Sequence, residues 1–250
     1  MGKALEGKIA LVTGGSAGIG LASARAFIAE RATVYITGRR QAALDEAVAL
    51  LGPSAIGVRA DAGNVDDIDM IVSRIADGHG RLDVLYSNAG VYGFGALGQI
   101  TAAHYDDHFD ANVRGVVFLM QAALPILSRN ASVVLTGSVV AHKGIENFSV
   151  YSATKAAVTS LARSWTAELK DRGIRVNVIS PGPIDTPGLD GLAGGKANVG
   201  ELKRGLTTMV PLGRMGLAGE VARAAVFLAS DASSYVAGAE LAVDGGAGAL

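Results

Sequence analysis

Residues 9–20 read Ile9-Ala10-Leu11-Val12-Thr13-Gly14-Gly15-Ser16-Ala17-Gly18-Ile19-Gly20, an apolar run that passes through a glycine-rich turn into a helical pattern. The run is apolar on both alternations, as a strand buried on both faces requires. Gly14 permits a tight exit from that strand, and Gly18 and Gly20 permit close approach by a ligand and by the packed helix. Free N–H groups and the positive end of the helix dipole would then face a pyrophosphate. The spacing is G-x-x-x-G-x-G, not the strict G-x-G-x-x-G fingerprint. Taken alone, such a turn suits an ordinary strand–helix connection nearly as well.

Working outward, short β-branched runs alternate with longer helical patterns. Residues 33–37, 55–60, 84–87, 133–136, 176–179 and 241–243 read as further strands. Helical stretches fall at about 19–30, 42–51, 65–77, 102–129, 152–172 and 220–230. This alternation predicts an α/β, doubly wound, Rossmann-type sheet of seven parallel strands with helices on both faces, in one domain over residues 1–250. Residues 188–205 stand apart, with glycines at 188, 191, 194, 195, 200 and 205. Their composition predicts a mobile flap over a site, spanning about 187–207.

Composition narrows the function. Of 250 residues half are hydrophobic, and 22 basic against 23 acidic side chains leave a net charge of −1. That balance offers no field for nucleic acid or an anionic membrane. Without cysteine the chain has no disulfide, thiol nucleophile or cysteine zinc site. The densest apolar stretch, residues 116–127, is interrupted by Gln121 and Pro125 and is too short to span a bilayer. The first residues do not read as a signal peptide, so a cytoplasmic location is expected.

Gly14-Gly15-Ser16-Ala17-Gly18 also fits G-x-S-x-G, the nucleophile elbow of serine hydrolases, with Ser16 as nucleophile. Against that reading, the elbow would fall on the first strand, and no HGGG-type oxyanion loop exists. The decisive stretch is Tyr151-Ser152-Ala153-Thr154-Lys155, which puts a phenol and an ammonium on one helix face at i and i+4. Ser138 follows a predicted strand, at the sheet edge where α/β proteins bind ligands. Asn112 lies within a predicted helix, where its amide could face a site. His104 and His108 are also four apart, but a solvated helix start explains them and no metal site is expected.

Taken together, these features resemble the short-chain dehydrogenase/reductase family over nearly the whole chain. The Thr13–Gly20 turn, Asp61, Ser87-Asn88-Ala89-Gly90, Asn112, Ser138, Tyr151 with Lys155, Pro181-Gly182 and Asp244-Gly245-Gly246 occur in the family's order. Two departures are mild: Ser87 replaces the usual Asn, and Gly137 a frequent Ser. The resemblance implies hydride transfer between a nicotinamide and a carbonyl or alcohol carbon of a small molecule. Tyr151 would be the proton donor, its pKa lowered by Lys155, which also holds the nicotinamide ribose. Ser138 would bond the substrate oxygen, and Asn112 would hold a water for proton resupply. Gly14, Ser16, Gly18, Ile19 and Gly20 would cradle the cofactor, with Asn88, Ala89 and Gly90 lining its groove. Asp61 and Ala62 would meet the adenine, and Pro181, Gly182, Ile184 and Thr186 would cover the nicotinamide. A relative that binds nucleotide without chemistry is disfavoured, since all four catalytic positions are filled.

NADP(H) is expected over NAD(H). NAD-binding relatives place an acid after the second strand, yet residues 31–44 contain none, and Thr37 runs into Gly38-Arg39-Arg40. Arg39 can offer its planar fork to a 2′-phosphate, and Ser16 can add a hydroxyl. Trp165 with Val158, Leu161 and Leu169 forms an apolar stripe on the Tyr151 helix, and the resemblance implies that part of it is the interface of a homotetramer.

Overall fold

The structure, a computed structural model, describes residues 3–193 and 195–249. Seven parallel strands form one sheet: β1 (Ile9–Val12), β2 (Thr33–Gly38), β3 (Ala55–Arg59), β4 (Leu82–Ser87), β5 (Leu127–Thr136), β6 (Arg175–Pro181) and β9 (Glu240–Val243). Their order is β3-β2-β1-β4-β5-β6-β9, so the winding reverses between β1 and β4. That reversal opens a crevice at the carboxyl ends of the strands.

Helices cover both faces. α1 (Gly18–Ala29), α2 (Gln41–Leu51) and α9 (Ala218–Ala229) pack with one core cluster, around Phe27, Ile36, Leu44 and Val221. α3 (Val65–His79), α5 (Gly115–Ala123) and α6 (Ser149–Glu168) close the other, around Ile68, Leu85, Leu119, Val133 and Val158. Tyr86 and Val84 belong to the first cluster and Leu85 to the second, the alternation of a strand covered on both sides. Val158 and Leu169 of the apolar α6 stripe are core residues, whereas Leu161 and Trp165 are only half-buried.

The helix expected over 102–129 is two helices and the start of a strand. α4 (Ala102–Phe109) and α5 are joined by a π turn over Asp110–Arg114. α5 ends at Ala123, because Pro125 has no N–H and restricts the residue before it. β5 then begins at Leu127, with a register irregularity opposite Leu82–Val84 and Asn130 at φ 60°.

The glycine-rich segment expected as a plain flap also carries helix. β7 (Ile184–Asp185) pairs with β8 (Gly216–Leu217), so the chain leaves and returns at one point. Between them lie the short α7 (Pro187–Asp190) and α8 (Val199–Thr208). Pro187 takes the first helical position, where its missing N–H costs nothing. Lys203 of α8 contacts Asp185 at 2.7 Å and Asp190 at 2.9 Å, tying the two ends of the excursion together. Gly194, one of the six glycines, lies outside the described residues.

Candidate active site

The crevice is a cavity of about 670 Å³ running from Arg39 and Asp61, past the first glycine turn, to Tyr151. Gly14 and Gly18 have φ of 65° and 54°, left-handed values that a Cβ would disfavour. Gly20 does not line the cavity; a Cβ there would stand 2.2 Å from the Gly14 carbonyl oxygen. Its part is therefore to let α1 press against the turn. The N-cap, Ala17, offers no side-chain bond, and the first helical hydrogen bond runs from Leu21 to Ala17. The N–H groups of Gly18, Ile19 and Gly20 thus have no acceptor among the described residues, and the helix start is open to an anion. Thr13 supports the turn: its hydroxyl accepts from the N–H of Asn88 at 3.0 Å and of Ala89 at 2.9 Å. Asn88 donates in return to the Thr13 carbonyl at 3.0 Å.

At the other end, Ser138, Tyr151 and Lys155 converge on the same cavity. Lys155 is almost wholly buried, and its ammonium donates to the Thr136 carbonyl at 2.8 Å. Burial pulls its pKa down to about 8. The Tyr151 phenol is pushed above its ordinary value, chiefly by burial, against which a hydrogen bond from Ser138 acts only in part. Lys155 stands 5.6 Å from the centroid of the Tyr151 ring, within reach for its charge to favour the tyrosinate once the proton has left. The net shift of the phenol is nonetheless upward, because burial is the largest effect on it. A phenol held in its protonated form is suited to giving a proton to a substrate oxygen.

Asn112 lies in the π turn, is buried, and is not part of the cavity wall. Its Oδ1 accepts from the Val91 N–H at 2.8 Å, while its Nδ2 donates to the Val91 carbonyl at 2.8 Å and to Thr154 Oγ1 at 3.1 Å. Both functions of the amide are committed to protein, so the side chain is a clamp between the β4 loop and α6, not a free ligand for water.

The remaining expected residues line the cavity: Gly14, Ser16, Gly18, Ile19, Arg39, Asp61, Ala62, Asn88, Ala89, Gly90, Pro181, Gly182, Ile184 and Thr186. The Arg39 guanidinium is exposed and 3.9 Å from the Asp61 carboxylate. Among the described residues no histidine bonds to Ser16, as a hydrolase triad would require. Among the described residues His79 bonds Tyr35, His108 bonds the His104 carbonyl, His142 bonds Glu240, and His104 stacks on the His108 ring. No cluster of metal-ligating side chains is found among them.

A family model described as enoyl-(acyl carrier protein) reductase matches residues 14–248. The chain is 42% identical to the oxidoreductase asL5 of Sarocladium schorii, over 97% of this chain and 96% of that protein. It is 38% identical to the 3-oxoacyl-[acyl-carrier-protein] reductase FabG of Thermotoga maritima, over 97% and 98%. A solved structure titled a short chain dehydrogenase/reductase family protein superposes with a TM-score of 0.87 at 42% identity, covering 99% of this chain and 100% of that one. A second, a glucose/ribitol dehydrogenase-type member from Brucella melitensis, gives 0.91 at 32% identity, covering 99% of each. The chain belongs to the short-chain dehydrogenase/reductase family.

This short-chain dehydrogenase/reductase is thus an oxidoreductase acting on alcohol and carbonyl groups, and its family implies a nicotinamide cofactor. The residues fit one. Uncapped N–H groups, glycines without room for a side chain and a buried ammonium lie along one crevice. Sequence reasoning puts residues 91–97 and 139–148 in the pocket lining, but does not give Thr13 its part as a clamp or pack Tyr92, Phe94 and Phe148 beside Tyr151. Thr13 heads the glycine turn, and its hydroxyl was the available signal. The aromatics carry no motif; only their grouping in space marks them.

Proposed function

We propose that this enzyme is an NADP(H)-dependent reductase of neutral ketones, reversible toward secondary alcohols, with Tyr151 as general acid and base. The observation that carries the reading is the meeting of Ser138, Tyr151 and Lys155 in one cavity with an uncapped helix N-terminus. The bound nicotinamide supplies the hydride for reduction or takes it up in oxidation. Tyr151 gives its hydroxyl proton to the carbonyl oxygen, and burial keeps that proton in place until then. Ser138, on the loop after β5, donates a hydrogen bond to the same oxygen. Lys155 remains largely protonated at neutral pH with its pKa at about 8, so it offers positive charge beside the tyrosinate left behind and a donor to a ribose hydroxyl.

Preference for NADP(H) rests on Arg39 at the cavity rim and on the missing acid between residues 31 and 44. A hydrogen bond to a charged group is worth about 1.5–3 kcal/mol, which amounts to roughly a ten- to hundredfold preference. In nicotinamide absorbance assays, Tyr151→Phe should lose more than nine-tenths of turnover with cofactor affinity unchanged; retention of more than a tenth removes Tyr151 as the acid. The double variant Gly38→Asp, Arg39→Leu should favour NADH. A Cβ at Gly38 meets the Ser16 hydroxyl at 2.8 Å and the Ser16 Cβ at 3.2 Å, so Ser16 must shift to admit the change. Equal use of NADH and NADPH by the wild type removes the NADP(H) assignment. A homotetramer belongs to the same reading: Tyr105, exposed and stacked on Phe109 at 4.3 Å, and half-buried Leu161 and Trp165 offer apolar surface to further copies.

A further inference from the structure

Beside Tyr151 the cavity wall is aromatic. Phe148 lies against the Tyr151 ring with centroids 4.7 Å apart, Phe94 against Phe148 at 5.1 Å, and Tyr92 meets Tyr151 edge-on at 6.0 Å. The grouping is built by the backbone. The N–H of Gly95 donates to the carbonyl of Asn147 at 2.7 Å, which ties the loop after β4 to the loop before α6 and sets Phe94 beside Phe148. A side chain at 95 would bring its Cβ to 2.9 Å from the His104 imidazole, so glycine is what lets this crossing close. Asn147 makes its turn at φ 61°. Phe94 keeps about half its surface exposed, at 49%.

The lining is also aliphatic. Leu189, Leu202 and Leu206, from α7 and α8, line the same cavity. The charged residues lining it are Arg39, Arg40, Asp61, Lys143 and Lys155. The first three lie at the end away from Tyr151, Lys155 belongs to the catalytic group, and the Lys143 ammonium donates to the Ala247 carbonyl. Apart from the Lys143 cation, the substrate half is thus an apolar slot lined by rings, leucines and small residues.

From this slot we infer that the preferred substrate is a ketone bearing a flat aryl group near the carbonyl, seated on the Phe94–Phe148 shelf. The inference rests on the ketone-reductase reading above and adds the substrate class to it. Aromatic faces favour an offset or edge-on ring over a saturated ring of equal bulk, and a polyhydroxylated chain would leave its hydroxyls without partners there. The conversion balances as for any ketone: the carbonyl carbon gains the hydride, the oxygen gains the Tyr151 proton, and the nicotinamide is oxidised.

The test compares phenylacetone, cyclohexylacetone and fructose, with NADPH and with NADH, in the wild type and in Phe94→Leu and Phe94→Tyr. Binding of the reduced cofactor is followed separately by its fluorescence. The wild type should favour phenylacetone over cyclohexylacetone about fivefold or more in kcat/KM, and over fructose by more than a hundredfold. Phe94→Leu should bring the first ratio near one with cofactor binding unchanged, and Phe94→Tyr should keep it. A wild-type ratio near one, or a ratio untouched by Phe94→Leu, overturns the aryl shelf and leaves ketone reduction standing. Failure to reduce any of the three, or to oxidise the matching alcohols, despite cofactor binding overturns both readings.

Discussion

Lys155→Met exchanges a buried ammonium for a thioether of similar reach, and the structure sets both the size and the sign of the effect. The lysine pKa falls from 10.5 to about 8 on folding, so keeping the charged form inside the protein costs about 3 kcal/mol at neutral pH. The methionine loses the donor to the Thr136 carbonyl, worth about 1 kcal/mol. The variant should therefore be more stable than wild type by about 2 kcal/mol at pH 7, which in a chain of this size raises the Tm by roughly 4–8 °C. Between pH 8 and 10.5 the unfolded wild-type chain binds more protons than the folded one, so wild-type stability rises with pH through that window. Methionine has nothing to titrate, and its advantage should shrink by about 3 kcal/mol by pH 10.5, leaving the variant slightly the less stable. Urea unfolding at several pH values, followed by the fluorescence of the single tryptophan, Trp165, measures this directly. Turnover should fall at least about a hundredfold, since the tyrosinate loses its cation. A variant equal to or weaker than wild type at pH 7, or a difference that does not move with pH, refutes the burial argument.

Three further outcomes follow from the geometry. Gly20→Ala forces a Cβ to 2.2 Å from the Gly14 oxygen and 2.6 Å from Asn88 Nδ2, so the turn must open; cofactor titration should show affinity lost at least tenfold, and equal affinity would mean that the turn gives way freely. Asn112→Leu keeps the volume but leaves the N–H and C=O of Val91 unpaired, and chemical denaturation should show a loss of about 2–4 kcal/mol. Residues 187–207 should exchange amide hydrogens faster than the sheet and slow on binding cofactor and substrate together; equal exchange in both states would remove the flap reading.

The sheet was legible because burial on both faces writes itself as apolar runs, as in β1, β2, β4 and β5, whereas β9 at the sheet edge is only partly buried. The glycine turn was legible for a similar reason: Gly14 and Gly18 adopt left-handed backbone, and Gly20 has no space for a side chain. The helices of 187–208 were not, since their glycines mask a short apolar stripe of Leu202 and Leu206 that faces the cavity, not the main core. Ion pairs from Lys203 hold that segment, and such pairs between elements leave no periodicity to read. The aromatic wall was hidden for another reason. It arises where Gly95 and Asn147 cross, 52 positions apart, and neither loop carries a pattern of its own.

Asn112 shows how far a motif position can be read without its surroundings. Its place in the chain marked it as functional, but the helix expected around it would have had no reason to turn a polar amide inward. The π turn supplies that reason. Gly115 donates back to Asp110, five residues earlier, and the extra residue swings Asn112 into the interior while α4 and α5 keep their own faces. There the amide joins two parts of the site that are distant in sequence. It grips both polar groups of Val91, next to the cavity-lining Gly90, and it donates to Thr154, whose hydroxyl in turn donates to the Tyr151 carbonyl at 2.7 Å. The loop that lines the cavity and the helix turn that carries Tyr151 are thus held in register by one side chain. A buried amide with its oxygen and both its amide hydrogens engaged is rigid, and that rigidity fixes the separation between the Gly90 loop and Tyr151 on which the proposed hydride and proton transfer depends.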